Sequence, residues 1–247
     1  MKTVLILLIA IALSLAGVAQ EKSSKSLESM DVIPAQFTGT QYNVNTDQGA
    51  DLLMHFLHTF FKADVGAMTT NFEGTEVVRF TVTETGQVKD IRFVNSICKE
   101  VDNAMYLALK STSGQWKPAV KGDEFHECYK EVSLTFSQAE DIMATEENFT
   151  KRAEKYFAKG CDKMLFDHKL KKAERNFSMA LNYRPYDEGT LYLRGICRYE
   201  RGNKEGAMED WDRFTSLAGF DPAPPQTALN VQDFEGAKAF ADLYAKH

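Results

Sequence analysis

Along the 247-residue chain the spacing of hydrophobic and polar positions changes several times. From Val4 to Ala19 there is no spacing at all, because only Ser14 and Gly17 interrupt an apolar run. Polar residues follow to Ser29, and Leu52 to Phe61 then form a second apolar-rich stretch. Its length predicts a helix, with Asp51 as N-cap or first-turn residue. At Val78, Phe80 and Val82 the period becomes two, which predicts a half-buried strand over 76–83. Glu84 to Gln87 supply a turn in which Gly86 takes a positive φ. A second strand covers 88–94, and its alternation slips between Val88 and Ile91, as at a bulge or strand end. Val101, Met105, Ala108 and Leu109 restore the helical period, and Gly114 ends that helix. Val132, Leu134 and Phe136 alternate in a last long strand, expected over about Phe125 to Phe136.

Helix, hairpin, helix and strand make a small α+β unit. After Asn148 the pattern is helical throughout and it repeats. Ala173, Phe177 and Ala180 recur 34 residues on as Ala207, Trp211 and Phe214. Tyr156 and Gly160 recur 35 residues on as Leu191 and Gly195, which places one extra residue in the first helix–helix turn, near Asp167-His168. A small residue facing a large one across neighbouring helices lets their backbones approach while the ring fills the gap. Two such units fall short of the three that usually bury a continuous core. Phe234, Ala237, Phe240, Ala241 and Tyr244 predict a capping helix after the breaker at Pro222, Pro224 and Pro225.

Composition narrows the classes. With 44% hydrophobic and 26% charged residues the chain is globular, and a net charge of −6 argues against a nucleic-acid partner. The first apolar run carries one Lys and ends Gly17-Val18-Ala19, so it reads as a secretory signal cleaved before Gln20; an uncleaved anchor to the inner membrane is the alternative. Export would put the chain in the periplasm, where disulfides persist. Of the three connectivities open to Cys98, Cys128, Cys161 and Cys197, pairing within each half, Cys98 with Cys128 and Cys161 with Cys197, is the natural hypothesis; four free thiols is the other.

Phe37-Thr38-Gly39, the turn at Gly86, Asp102 at the second helix, and Trp116-Lys117-Pro118-Ala119 followed by Gly122 resemble the TonB C-terminal domain family in its Bacteroidetes-type form, over residues 33–137. The 34-residue period of Gly160, Ala173, Phe177, Ala180, Gly195, Ala207 and Trp211 resembles tetratricopeptide repeats. The fold class expected is α+β: a small antiparallel sheet with helices, then an all-α helix-hairpin domain. The domains expected are a signal peptide (1–19), a polar linker (20–32), the TonB-C-like domain (33–137), a linker (138–147), two repeats (148–220) and a breaker with capping helix (221–247).

The first resemblance implies a module that takes a peptide of an outer-membrane receptor along a strand edge. On this chain the edge falls on the last strand, at His126, Cys128, Lys130 and Val132, while Gly86, Trp116, Pro118, Ala119 and Gly122 act as fold determinants. The repeats imply a concave peptide-binding face. Nine Lys and Arg against four acids over 151–175 suit an acidic peptide, although a solvated helix face accounts for the same charges.

No phosphate loop, nucleophile elbow or Cys-x-x-Cys motif occurs, and His55 and His58 lack a third ligand nearby. The expected function is therefore a non-catalytic, exported adaptor in the cell envelope without cofactor or metal, whose partner is a protein or peptide and which can pair with itself through a strand edge. The alternative is a TonB-family energy transducer serving transmembrane transport. Residues 20–32 do not favour it: fully extended they reach only about 45 Å.

Overall fold

A computed structural model describes residues 5–7, 32–39, 52–64, 72–139, 141–218 and 231–244. Asp51, the junction at Gln20 and the prolines at 222, 224 and 225 lie outside the described residues. The chain divides into two compact units, Met1–Ala139 and Glu140–His247.

The first unit contains β1 (Leu5–Leu7), β2 (Val32–Ile33), β3 (Gln36–Phe37), α1 (Leu52–Asp64), β4 (Gly74–Val82), β5 (Val88–Asn95), α2 (Lys99–Ser111), β6 (Trp116–Lys117), β7 (Ala119–Lys121), β8 (Glu124–His126) and β9 (Cys128–Ser137). Its main sheet is antiparallel in the order β1-β9-β4-β5. Val78, Phe80 and Val82 of β4 and Val132, Leu134 and Phe136 of β9 share one face and are buried with Leu53, Leu57 and Phe61 of α1 and Val101, Met105, Ala108 and Leu109 of α2. The slip in the second strand is real: Arg79 faces Arg92 but Thr81 faces Lys89, so β5 carries an extra residue. Asp90, at φ +50°, sits in that bulge, in a left-handed conformation that Asp tolerates better than most side chains.

Two prolines divide the minor strands. Pro34 separates β2 from β3 and Pro118 separates β6 from β7, so β3 pairs β6 while β2 pairs β7. A proline has no N–H to give a ladder, which suits it to the point where a strand changes sheets. Gly122 turns β7 into β8 at φ +64°, as the first residue of a two-residue hairpin loop requires. Gly86 has φ +75°, and a Cβ there would run into the main-chain carbonyl of Trp116. Trp116 in turn is buried between Phe37 and Phe80, with ring centroids 5.4 Å away in each case, and its Nε1 donates to Thr112 Oγ1 at 3.0 Å.

The second unit is all helical: α3 (Ile142–Cys161), a π-helical turn (Asp162–Phe166), α4 (Leu170–Tyr183), α5 (Glu188–Glu200), α6 (Lys204–Ala218) and α7 (Glu235–Tyr244). Asp141 and Asp187 cap α3 and α5 by accepting from the Ala144 and Thr190 N–H groups. The extra residue falls in the π turn that immediately precedes Asp167-His168, where Asp167 N–H reaches back five residues to the Asp162 carbonyl. Ala173 and Ala207 are fully buried, and Ala180 nearly so. A Cβ on Gly160 would lie 2.5 Å from the Phe177 ring, and one on Gly195 closer still to Trp211. Phe240 of α7 completes the core against Tyr192, Trp211 and Phe214.

Candidate functional site

The expected recognition strand is two strands. β8 ends at His126 and β9 begins at Cys128, with Glu127 between them held by Lys89 at 2.6 Å. His126 therefore belongs to the small sheet, opposite Ala119. Cys128, Lys130 and Val132 stay on β9, opposite Val82, Phe80 and Val78 of β4. Successive side chains alternate faces, so these three point to the core side, and Val132 is 5% exposed. A partner strand would meet backbone there, while Tyr129, 59% exposed, is the open side chain of this segment.

β4 takes one edge of β9 from Cys128 to Phe136. On the other edge β1 pairs with Thr135–Ser137 alone, and among the described residues no strand pairs with Cys128–Leu134 there. Charges guard that open stretch: Lys130 lies on it, and Glu131 meets Arg79 at 3.2 Å.

The disulfide hypothesis for this half fails on register. Cys128 stands opposite Val82, whereas Cys98 follows Asn95, which stands opposite Val77. Five residues of extended strand separate these levels, about 17 Å, well beyond the roughly 7 Å that a disulfide spans between Cα atoms. All four cysteines are free thiols. Cys161 and Cys197 do share one core, and burial raises their thiols to about 11 and about 12.

Glu76 is a residue that no sequence motif announces. It stands in β4 on the core face and is completely buried. Its Oε2 accepts the Ile97 N–H at 2.8 Å, while Oε1 has no conventional donor. Asp102, whose two oxygens accept from Ser96 Oγ at 2.8 and 3.0 Å, lies beside it in α2. Burial first, then the Asp102 charge, raise the Glu76 carboxyl to about 9, so near neutral pH it keeps its proton and can donate to Asp102. The only sequence signal is its even-numbered place in the alternating strand. The pair brings β4 against the start of α2 within the core.

In the second unit a cleft of about 510 Å³ opens beside α3 and the start of α5, lined in part by Glu154, Phe157, Arg184, Tyr186 and Glu188. Its charged lining is mainly acidic. Several basic residues of 151–175 are engaged elsewhere: Lys151 with Glu147, Lys163 and Lys169 with Asp167, and Arg152 over the Tyr183 ring. In the core of the same unit Arg194 is clamped to Asp210 at 2.6 and 3.0 Å, and Arg198 reaches the same carboxylate at 3.0 Å.

Among the described residues no group of three His, Cys, Asp or Glu side chains is placed to hold a metal, and no helix is long and apolar enough to cross a membrane. The chain matches no protein-family profile, no curated protein and no solved structure.

Proposed function

We propose that this chain is a non-catalytic adaptor of the cell envelope, exported by its N-terminal segment, in which a TonB-C-like strand-pairing module is joined to a tetratricopeptide-like helical module. The observation that carries the reading is the outer edge of β9, whose backbone donors and acceptors from Cys128 to Leu134 meet no strand among the described residues. An extended peptide that adds to such an edge gains affinity from main-chain hydrogen bonds and specificity from alternate side chains. Tyr129, 59% exposed, supplies an open ring for that selection. The helical module, with its cleft between α3 and α5, offers a second, independent face for a partner.

The test uses the protein starting at Gln20 and synthetic peptides copying the periplasmic ends of outer-membrane receptors, read by amide chemical shifts and hydrogen exchange. Binding should slow exchange at Cys128–Leu134. Neighbouring residues of a strand point their N–H groups to opposite sides, so of Tyr129→Pro and Lys130→Pro one removes an outward donor and leaves the ladder to β4 intact. That variant should fold and lose the peptide. Slowed exchange confined to the helical unit, with both proline variants binding normally, would place the partner elsewhere and sink the reading.

A further inference from the structure

The described chain seats one of its own segments on this edge. Leu5–Leu7 runs antiparallel to β9, with Leu5 opposite Ser137, Ile6 opposite Phe136 and Leu7 opposite Thr135. The place it occupies lies in the half of the edge that carries no charge. Lys130 and Glu131 guard the open stretch, but Val132 to Ser137 carry no charge. With Leu5–Leu7 in place, Val132 to Ser137 are all at most 7% exposed, so this half of β9 is dry on both faces of the sheet. Outward backbone groups beside such residues have poor access to water, and an unpaired buried N–H or carbonyl is costly. The charge-free half of the edge thus suits an uncharged strand, and Leu5–Leu7, paired at its far end, is one.

We propose that the Thr135–Ser137 end of β9 is a strand-accepting site that the chain closes in cis with Leu5–Leu7, and that removal of the residues before Gln20 opens it to an extended, uncharged apolar segment of another chain running antiparallel to β9. The proposal rests on the reading of β9 as a docking edge and adds the chemistry and direction of the occupant, together with a control built into the precursor. Docking at Cys128–Leu134 would then be preceded by uncovering of the adjoining residues, and a partner with an apolar end would use both.

Hydrogen exchange compares the full chain with the chain starting at Gln20. Outward amides of Thr135–Ser137 should exchange at least about tenfold more slowly in the full chain, as expected where a local opening must precede exchange. A fluorescein-labelled peptide of residues 2–10 should bind the shortened chain saturably and the full chain not at all, and the same peptide with Ile6→Pro should not bind either. Equal exchange in the two chains, or a peptide bound equally by both or by neither, overturns the proposal. If shortening costs the fold, as circular dichroism would reveal, the full chain with Ile6→Pro decides: protection at Thr135–Ser137 lost upholds the proposal and protection retained overturns it. The two readings fail separately. Receptor peptides that never reach Cys128–Leu134 count against the adaptor, while unchanged exchange at Thr135–Ser137 counts against the masking strand alone.

Discussion

Replacing Glu76 with Gln should make the first unit more stable above about pH 5, by an amount that grows with pH. In the folded chain the Glu76 carboxyl is raised from 4.5 to about 9 because it is buried and lies beside Asp102. The unfolded chain releases that proton near 4.5, so between these values the folded state binds more protons and stability falls as pH rises. Every pH unit climbed between them costs the folded chain about 1.4 kcal/mol. The loss therefore reaches about 3 kcal/mol at pH 7 and about 6 kcal/mol by pH 9, is absent below 4.5, and levels off above 9. Glutamine keeps an acceptor for the Ile97 N–H and supplies an N–H₂ donor for Asp102, but has no proton to lose. Urea unfolding from pH 5 to 9, followed through the amide signals of Val78 and Phe80, isolates this unit from the helical one. The difference between variant and parent should widen by about 1.4 kcal/mol per pH unit. A difference independent of pH would show that Glu76 is ionised in the folded chain and refute the argument.

Gly86→Ala should lower the stability of the same unit by about 2 kcal/mol or more, since it combines a left-handed backbone with a clash against the Trp116 carbonyl; the thermal midpoint reports it. Asp210→Ala leaves buried Arg194 without its bidentate partner and should cost the helical unit about 3–5 kcal/mol in urea unfolding. A chain of residues 148–220 should melt below one of residues 148–247, because α7 docks through Phe240, through the Gly236 N–H to Glu200, and through the Tyr244 hydroxyl to Asp212; equal midpoints would show that α7 contributes nothing.

Local periodicity is enough to place the long elements. Val78, Phe80, Val82, Val132, Leu134 and Phe136 alternate in the sequence and are buried in the sheet, and the face of α2 read from Val101 to Leu109 is the buried one. The pairing of Gly160 with Phe177 and of Gly195 with Trp211 follows from a repeat in which a small residue meets a large one 17 residues on in the first unit and 16 in the second. What the pattern does not carry are the exceptions inside a correct element. Glu76 reads as a polar strand residue, because a side chain that pairs after losing its charge looks the same in sequence as one that faces water. The expected strand from Phe125 to Phe136 breaks at Glu127, where no Gly or Pro announces it. The extra repeat residue is expected in a turn, but the helix absorbs it as π turns do, by lengthening its hydrogen bonds by one residue.

By itself, then, the sequence determined the order and type of the long elements, since these depend on neighbours two, three or four residues away, and its 34-residue repeat pointed to the small-to-large packing of the helices. Only the tertiary structure decided which strands share a sheet, that Asn95, where β5 ends before Cys98, stands five strand residues from the level of Cys128, that Glu76 is dry, and that Leu5–Leu7 lies on the edge of β9. Each of these depends on register between segments tens of residues apart, and register is chosen by the summed burial and hydrogen bonding of the whole unit rather than by any local pattern.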